Sequence, residues 1–146
     1  RVMASGAHYL TDGVADTTLS HLTFGDNLQA HIYVSWLHPF KEQKLVVVGE
    51  KAMIVFDDTK EPSEKLLMYR HEIGWQGEIP IVSKAAPKPV AFAESEPLRN
   101  ECQAFLDAID GHARPRSDAA EGIRVLRVLD ACQQSIVQGA ALDLES

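Results

Sequence analysis

The sequence predicts an α+β fold: an open, mostly antiparallel sheet with two C-terminal helices packed on one face. Two observations carry this. From Leu28 to Asp57 the chain reads as three consecutive strands, and beyond Ser95 the hydrophobic period changes from 2 to 3.6. Strands come first and helices last, with no internal repeat and no low-complexity segment.

The first ten residues predict a short strand, with Val2 to Gly6 at its centre, followed by a turn at Thr11-Asp12-Gly13. Val14 to Phe24 reads as a long strand of mixed polarity. Gly25-Asp26-Asn27 then makes a three-residue hairpin loop from residues that tolerate positive φ. That loop length fixes the register, pairing Phe24 with Leu28, Leu22 with Ala30, His21 with His31 and Ser20 with Ile32. One hairpin face collects Leu22, Phe24, Leu28, Ala30, Ile32, Val34 and Trp36, and is the expected core face. The other collects Thr17, Leu19, His21, Thr23, Gln29, His31, Tyr33 and Ser35.

Pro39 cannot donate to a ladder, so Leu37 to Lys41 is a loop. The runs LVVV (45–48) and MIVF (53–56) are apolar on both faces, the pattern of strands covered on both sides, and join in a second hairpin after Gly49. Asp57 to Ser63 is a polar loop and Lys65 to Glu72 a further strand. Gly74 to Ala86 shows no steady period and reads mostly as loop; Pro89 to Glu94 is an expected edge strand.

In the first helix Leu98, Cys102, Phe105, Leu106 and Ile109 form one face, with Ser95 as N-cap, Pro97 in the first turn and Gly111 as the stop. In the second, Asp118 and Glu121 make a capping-box pair, Ile123, Leu126, Leu129, Cys132 and Ile136 form the stripe, and Gly139 ends it. The short connection from Gly111 to Ser117 predicts antiparallel neighbours. Ala140 to Leu144 is a candidate last strand. Cys102 and Cys132 both fall on apolar stripes and read as small core residues rather than ligands.

Residues 1–146 read as a single domain by size. A formal net charge of -7 argues against nucleic acid and anionic membrane surfaces as partners. No apolar run approaches the roughly 20 residues of a membrane span. The first residues lack the apolar core of a signal peptide, so a cytoplasmic location is expected. With a strand already under way at Val2, the chain reads as a piece of something longer.

Chemical motifs are sparse. No G-x-G-x-x-G and no P-loop occurs; Gly74 and Gly77 bracket Trp75-Gln76 and open no helix. His71-Glu72 lacks a second histidine at metalloprotease spacing. His21 and His31, opposed across the hairpin, could bind a metal or act as an acid-sensitive latch. Two ligands are too few for a zinc site and no carboxylate or thiol lies beside them, so a packed pair on a sheet face is the better reading and no metal is expected. Leu37-His38-Pro39-Phe40-Lys41 is the most chemically loaded segment. Lys41 could serve as a point charge and His38 as a hydrogen-bond partner for an anionic or hydroxyl-rich ligand; composition alone favours an ordinary solvated crossover.

The order VADTTLSHLTFGDNLQAHIYVSWLHPFKEQKLVVVGEKAMIVFDD, then EPLRNECQAFLDAIDG, then ARPRSDAAEGIRVLRVLDACQQSIVQG, resembles the C-terminal domain of the Gfo/Idh/MocA oxidoreductases. The S-W-x-x-P-x-K segment with V-V-G-x-x-x-M looks most like the branch acting on UDP-linked acetamido sugars and their uronates. The resemblance covers nearly the whole chain, and the C-terminal helical block is its most family-specific part. It implies an α+β domain that covers the active site of an NAD- or NADP-dependent dehydrogenase and mediates oligomers. The family's catalytic lysine lies in a Glu-Lys-Pro motif, whereas this chain has only Lys60-Glu61-Pro62, in another order. Its histidine follows an aspartate four residues earlier, a spacing absent here. No catalytic residue is therefore carried over, and no cofactor is expected to bind this chain by itself.

The resulting expectation is a substrate-binding and oligomerisation domain of a sugar or nucleotide-sugar dehydrogenase, with His38 and Lys41 bordering the substrate. The rival reading is a free-standing, non-catalytic binding or assembly module of the same fold. The semi-polar hairpin face carries no Lys, Arg, Asp or Glu among its eight positions. It is the expected self-association surface for a dimer or tetramer, with Leu19, His21, His31 and Tyr33 as contacts.

Overall fold

A computed structural model describes residues 1–93, 95–112 and 114–144. Glu94, at the end of the expected edge strand, and Ala113, in the interhelical connection, lie outside the described residues. The strands are β1 (Val2–Ala7), β2 (Thr17–Phe24), β3 (Leu28–Ser35), β4 (Lys44–Val48), β5 (Ala52–Asp57), β6 (Leu66–Gln76), β7 (Ile79–Lys84) and β8 (Lys88–Pro89). The helices are α1 (Pro62–Lys65), α2 (Pro97–Ile109) and α3 (Ala119–Gln138). The fold is α+β with open antiparallel sheets. The strands form two sheets rather than the one expected, in the orders β1-β2-β3 and β4-β5-β6-β7, with β8 on β6. The chain divides into two compact units, Arg1–His38 with Glu101–Ser146, and Pro39–Asn100.

In the first unit the hairpin has the register that its three-residue loop dictates: Phe24 opposes Leu28, Leu22 Ala30, His21 His31 and Ser20 Ile32. Gly25 takes φ 57°, the conformation that closes the loop. β1 lies antiparallel on β2, with Val2 opposite Leu22 and Met3 opposite His21. Val14 does not open the second strand as expected; it closes the Thr11 turn, donating its N–H to the Thr11 carbonyl at 3.3 Å.

α3 packs on β1, and the core is built from small residues. Val2, Leu22 and Ala131 are buried together, with Ala30, Val128 and Cys132 against them. The face α3 turns inward is Val128, Ala131, Cys132 and Ser135, at helical spacings of 3, 1 and 3. The expected stripe is corrected here: Ile123, Leu126 and Leu129 are exposed. The physical reason is that α3 rests chiefly on β1, so the covered part is its C-terminal half: Cys132 and Ile136 of the expected stripe are partly buried there, and Ile136 Cδ1 lies 3.3 Å from a Cβ added at Gly6. α3 covers only the Val2, Ala4 and Leu22 part of the core face. Phe24, Leu28, Ile32, Val34 and Trp36, expected inside, are exposed.

The edge of β1 is closed. Val2 and Leu142 exchange two backbone hydrogen bonds of 2.8 Å, so the expected C-terminal strand is a single bridge. Caps at α3 follow the sequence: Asp118 accepts from the Glu121 N–H at 2.8 Å, and Gly139 stops the helix at φ 63°. The Glu121 side chain pairs with Arg124, so only half of the capping box forms.

In the second unit β4 pairs β5, β5 pairs β6, and β6 continues past Glu72 to Gln76. The segment read mostly as loop is a hairpin. Gln76 opposes Ile79 across Gly77-Glu78, with Gly77 at φ 65°. Gly74 and Pro80 masked its period, and β7 tolerates proline because it ends the strand order. β4 is the other edge and all five of its residues are exposed, so covering on both faces is not found. Pro89 pairs Leu67, but the strand ends there. α1 is a single turn within the expected polar loop, entered at Pro62.

α2 starts at Pro97. Ser95 is not its cap; its Oγ accepts from the Asn100 side chain at 2.9 Å. Gly111 and His112 close its end onto Ala108 and Asp107. Leu98, Cys102, Phe105, Leu106 and Ile109 form one face as expected, but that face is exposed, so Cys102 is not a core residue. Cys132 is partly buried, and both thiols are free. No helix is long and apolar enough to cross a membrane.

Candidate functional site

Alternation along β2 and β3 sends Leu22 and Ala30 toward α3 and Leu19, His21, His31 and Tyr33 to the outer face of the first sheet. Leu19 directly opposes Tyr33, and both are about half exposed. The His21 and His31 rings stand edge to face, with centroids 4.6 Å apart and planes at 62°. Met3, on β1, adds a thioether beside His21, because it is its partner in the β1–β2 ladder. All four residues expected at the interface therefore share one face.

His38 follows β3 and turns back over that face. Its ring lies 5.6 Å from Tyr33, tilted by 47°. The structure thus joins a residue expected to meet substrate with one expected at the interface.

Lys41 belongs to the second unit and is held there by the Asp58 carboxylate. Its Nζ lies 2.5 Å from Asp58 Oδ2, while Lys65 Nζ lies 3.1 Å from Oδ1 of the same group. Next to it Lys44 pairs with Asp57 Oδ2 at 3.4 Å. The Asp57 Oδ1 accepts from the Thr59 hydroxyl at 2.6 Å and the Thr59 N–H at 3.1 Å. Both carboxyls are held below their ordinary range, Asp57 chiefly by the Thr59 hydroxyl and N–H, Asp58 chiefly by the Lys41 and then the Lys65 ammonium. Three ammonium groups thus gather on the Asp57–Asp58 pair. Sequence reasoning named Lys41 but not its neighbours Asp57, Asp58 and Lys65. The Asp57-Asp58 pair at a strand end was the visible signal; the lysines come together only through the β4–β5–β6 order.

Sequence reasoning also missed Asp16. This buried carboxylate accepts from the N–H groups of Tyr9 and Leu10, the latter at 2.7 Å, and the Asp16 carbonyl accepts from Trp36 N–H at 2.8 Å. Asp16 lines an open concavity of about 410 Å³ with Thr18, Val34, Ser35 and the exposed Trp36. Its satisfied hydrogen bonds make it a clamp on the turn after β1. Among the described residues no three of His, Cys, Asp or Glu gather as metal ligands.

Comparison with known proteins shows the family of the chain. The model of an oxidoreductase family's C-terminal alpha/beta domain, that of the Gfo/Idh/MocA group, matches residues 7–144. No curated protein sequence matches the chain. Among solved structures, UDP-N-acetylglucosamine 3-dehydrogenase from Acidithiobacillus ferrooxidans is similar at 20% identity, covering 94% of this chain and 38% of its own, with a TM-score of 0.66. The WlbA dehydrogenase from Bordetella pertussis, solved with NADH and UDP-GlcNAcA, is similar at 19% identity over 99% of this chain and 39% of its own, TM-score 0.65. The yvaA structure from Bacillus subtilis is similar at 16% identity over 99% of this chain and 45% of its own, TM-score 0.66. The chain thus spans about two fifths of the length of these structures.

Proposed function

We propose a function from one premise: the chain belongs to the Gfo/Idh/MocA oxidoreductase family, as its C-terminal alpha/beta domain. It is the substrate-binding and self-association domain of an NAD- or NADP-dependent dehydrogenase acting on a sugar or nucleotide sugar in the cytoplasm, and residues 1–146 act as one domain of that enzyme. The observation that carries this reading is the family match over 7–144, together with likeness to two structures named for UDP-linked sugars.

The chain's own residues do not fit a dinucleotide. A pyrophosphate needs a glycine-rich turn opening a helix. Here Glu61, Glu96 and Asp118 immediately precede α1, α2 and α3, and an acidic side chain at that position disfavours a second anion. The nicotinamide therefore belongs to a separate nucleotide-binding domain. No hydride or proton step is assigned to this chain.

What the chain offers the substrate is charge and hydrogen bonding. The Lys41, Lys44 and Lys65 cluster presents ammonium groups to a pyrophosphate or uronate. His38, whose ring lies against Tyr33, is the residue proposed to border the sugar. Titration of the chain with UDP-GlcNAcA, followed by amide NMR, is expected to shift His38, Lys41 and their neighbours, while calorimetry with NAD and NADP shows no heat of binding. Saturable nicotinamide binding, or sugar-nucleotide shifts confined to other residues, would overturn this reading. Self-association without any sugar-nucleotide shift would replace it by the assembly module.

A further inference from the structure

We infer that Met3, His21 and His31 form a binding site for a soft monovalent metal ion, cuprous copper, on the outer face of the first sheet. The ladder puts the three donors abreast on adjacent strands. Met3 opposes His21 across β1–β2, and His21 opposes His31 across β2–β3. Directly opposed residues share a face, with Cβ atoms about 5 Å apart. The two rings already sit 4.6 Å apart, centroid to centroid.

A second observation points to a ligand. His21 Nε2 is buried and has no hydrogen-bond partner, the only such side-chain nitrogen or oxygen among the described residues. A buried imidazole nitrogen without a partner is costly, and a metal ion would satisfy it. Met3 and His31 are exposed on the single chain, so the ion enters before a second copy covers this face.

The donor chemistry selects the metal. Two neutral imidazoles and a thioether bring no negative charge, and the same-face neighbours Ser5, Leu19, Thr23, Gln29 and Tyr33 bring no carboxylate. Calcium and magnesium require oxygen ligands. Zinc requires four positions, commonly with thiolate or carboxylate. Cuprous copper favours soft donors, and thioether sulfur selects it over harder ions. The third donor escapes a reading of the β2–β3 hairpin alone, because Met3 reaches the pair only when β1 docks on β2.

The test is an anaerobic competition for cuprous ion between the chain and the chromophoric chelator bicinchoninate. The expected result is withdrawal of one ion per chain, with X-ray absorption showing two nitrogen donors and one sulfur donor. Met3→Leu keeps the shape and removes the sulfur. It is expected to abolish the copper–sulfur scattering and to weaken binding at least about tenfold, the minimum seen even for outer-shell partners. His31→Gln is expected to abolish withdrawal, whereas His71→Gln, in the second unit, leaves it unchanged. Circular dichroism establishes that each variant is folded. Failure of the unmutated chain to withdraw copper overturns the inference, as does a folded Met3→Leu variant that binds like the unmutated chain.

Discussion

The hydroxyl of Ser135, fully buried on α3, accepts the Ala4 N–H of β1 at 2.8 Å and donates to the Ala140 carbonyl at 2.6 Å. An edge strand carries outward-facing N–H groups that nothing in its own sheet can satisfy. Here one hydroxyl satisfies Ala4, and Leu142 satisfies Val2. Helix, strand and C-terminal segment therefore meet at a single side chain.

Ser135→Ala leaves the Ala4 N–H buried without a partner. The expected loss is about 1–3 kcal/mol, read as a lower urea midpoint at unchanged slope. Faster hydrogen exchange at Ala4 than at Leu22 would localise it. An unchanged midpoint would mean that water or a shifted backbone replaces the hydroxyl.

Gly6 and Gly122 should respond to alanine with opposite signs. A Cβ at Gly6 would stand 3.0 Å from Ala15 Cβ and 3.3 Å from both Ile136 Cδ1 and the Thr17 carbonyl oxygen. Gly6→Ala is expected to cost about 1–3 kcal/mol through overpacking. Gly122 lies in α3 with nothing within 4 Å of an added Cβ. Gly122→Ala is expected to stabilise by about 0.5–1 kcal/mol. Thermal unfolding of the pair decides both, and equal signs would contradict the close approach at Gly6.

The Asp58 cluster makes part of the stability acid-sensitive. The Asp58 carboxyl is held below its ordinary 3.8 by Lys41 and Lys65. A depressed folded-state value means that this contribution is present above 3.8 and is lost as pH falls through the folded-state value. Lys41→Met should move the Asp58 titration, followed by carboxyl carbon NMR, upward toward 3.8. It should also reduce the loss of stability on acidification below that value. A titration that stays in place would show that Lys65 alone holds Asp58.

The proposed function includes self-association through the outer face of the first sheet. Leu19→Lys with Tyr33→Lys sets two cations directly opposite each other on that face. Light scattering of the unmutated chain at about tens of micromolar, where a standard interface is occupied, is expected to give at least a dimer, and the double variant a monomer. A monomeric unmutated chain would remove this part of the proposal.

Local chemistry determined the parts that were legible in the sequence. The loop Gly25-Asp26-Asn27 set its hairpin register because loop length and alternation leave one pairing that keeps Leu22 and Ala30 on the same face. Asp118, Gly111 and Gly139 marked helix ends because caps are satisfied within a turn of the chain. His21 faces His31, and Leu19 faces Tyr33, for the same local reason. Only the tertiary structure decided which apolar residues are buried. Phe24, Ile32 and Leu126 have the right period, yet burial requires a partner surface, and α3 docks instead through Ala131 and Ser135 against Val2 and Ala4. Likewise Met3 beside His21, and Lys41 with Lys65 on Asp58, join residues from strands or loops far apart in sequence. Periodicity assigns a side chain to a face, but only docking of distant segments fixes what that face touches.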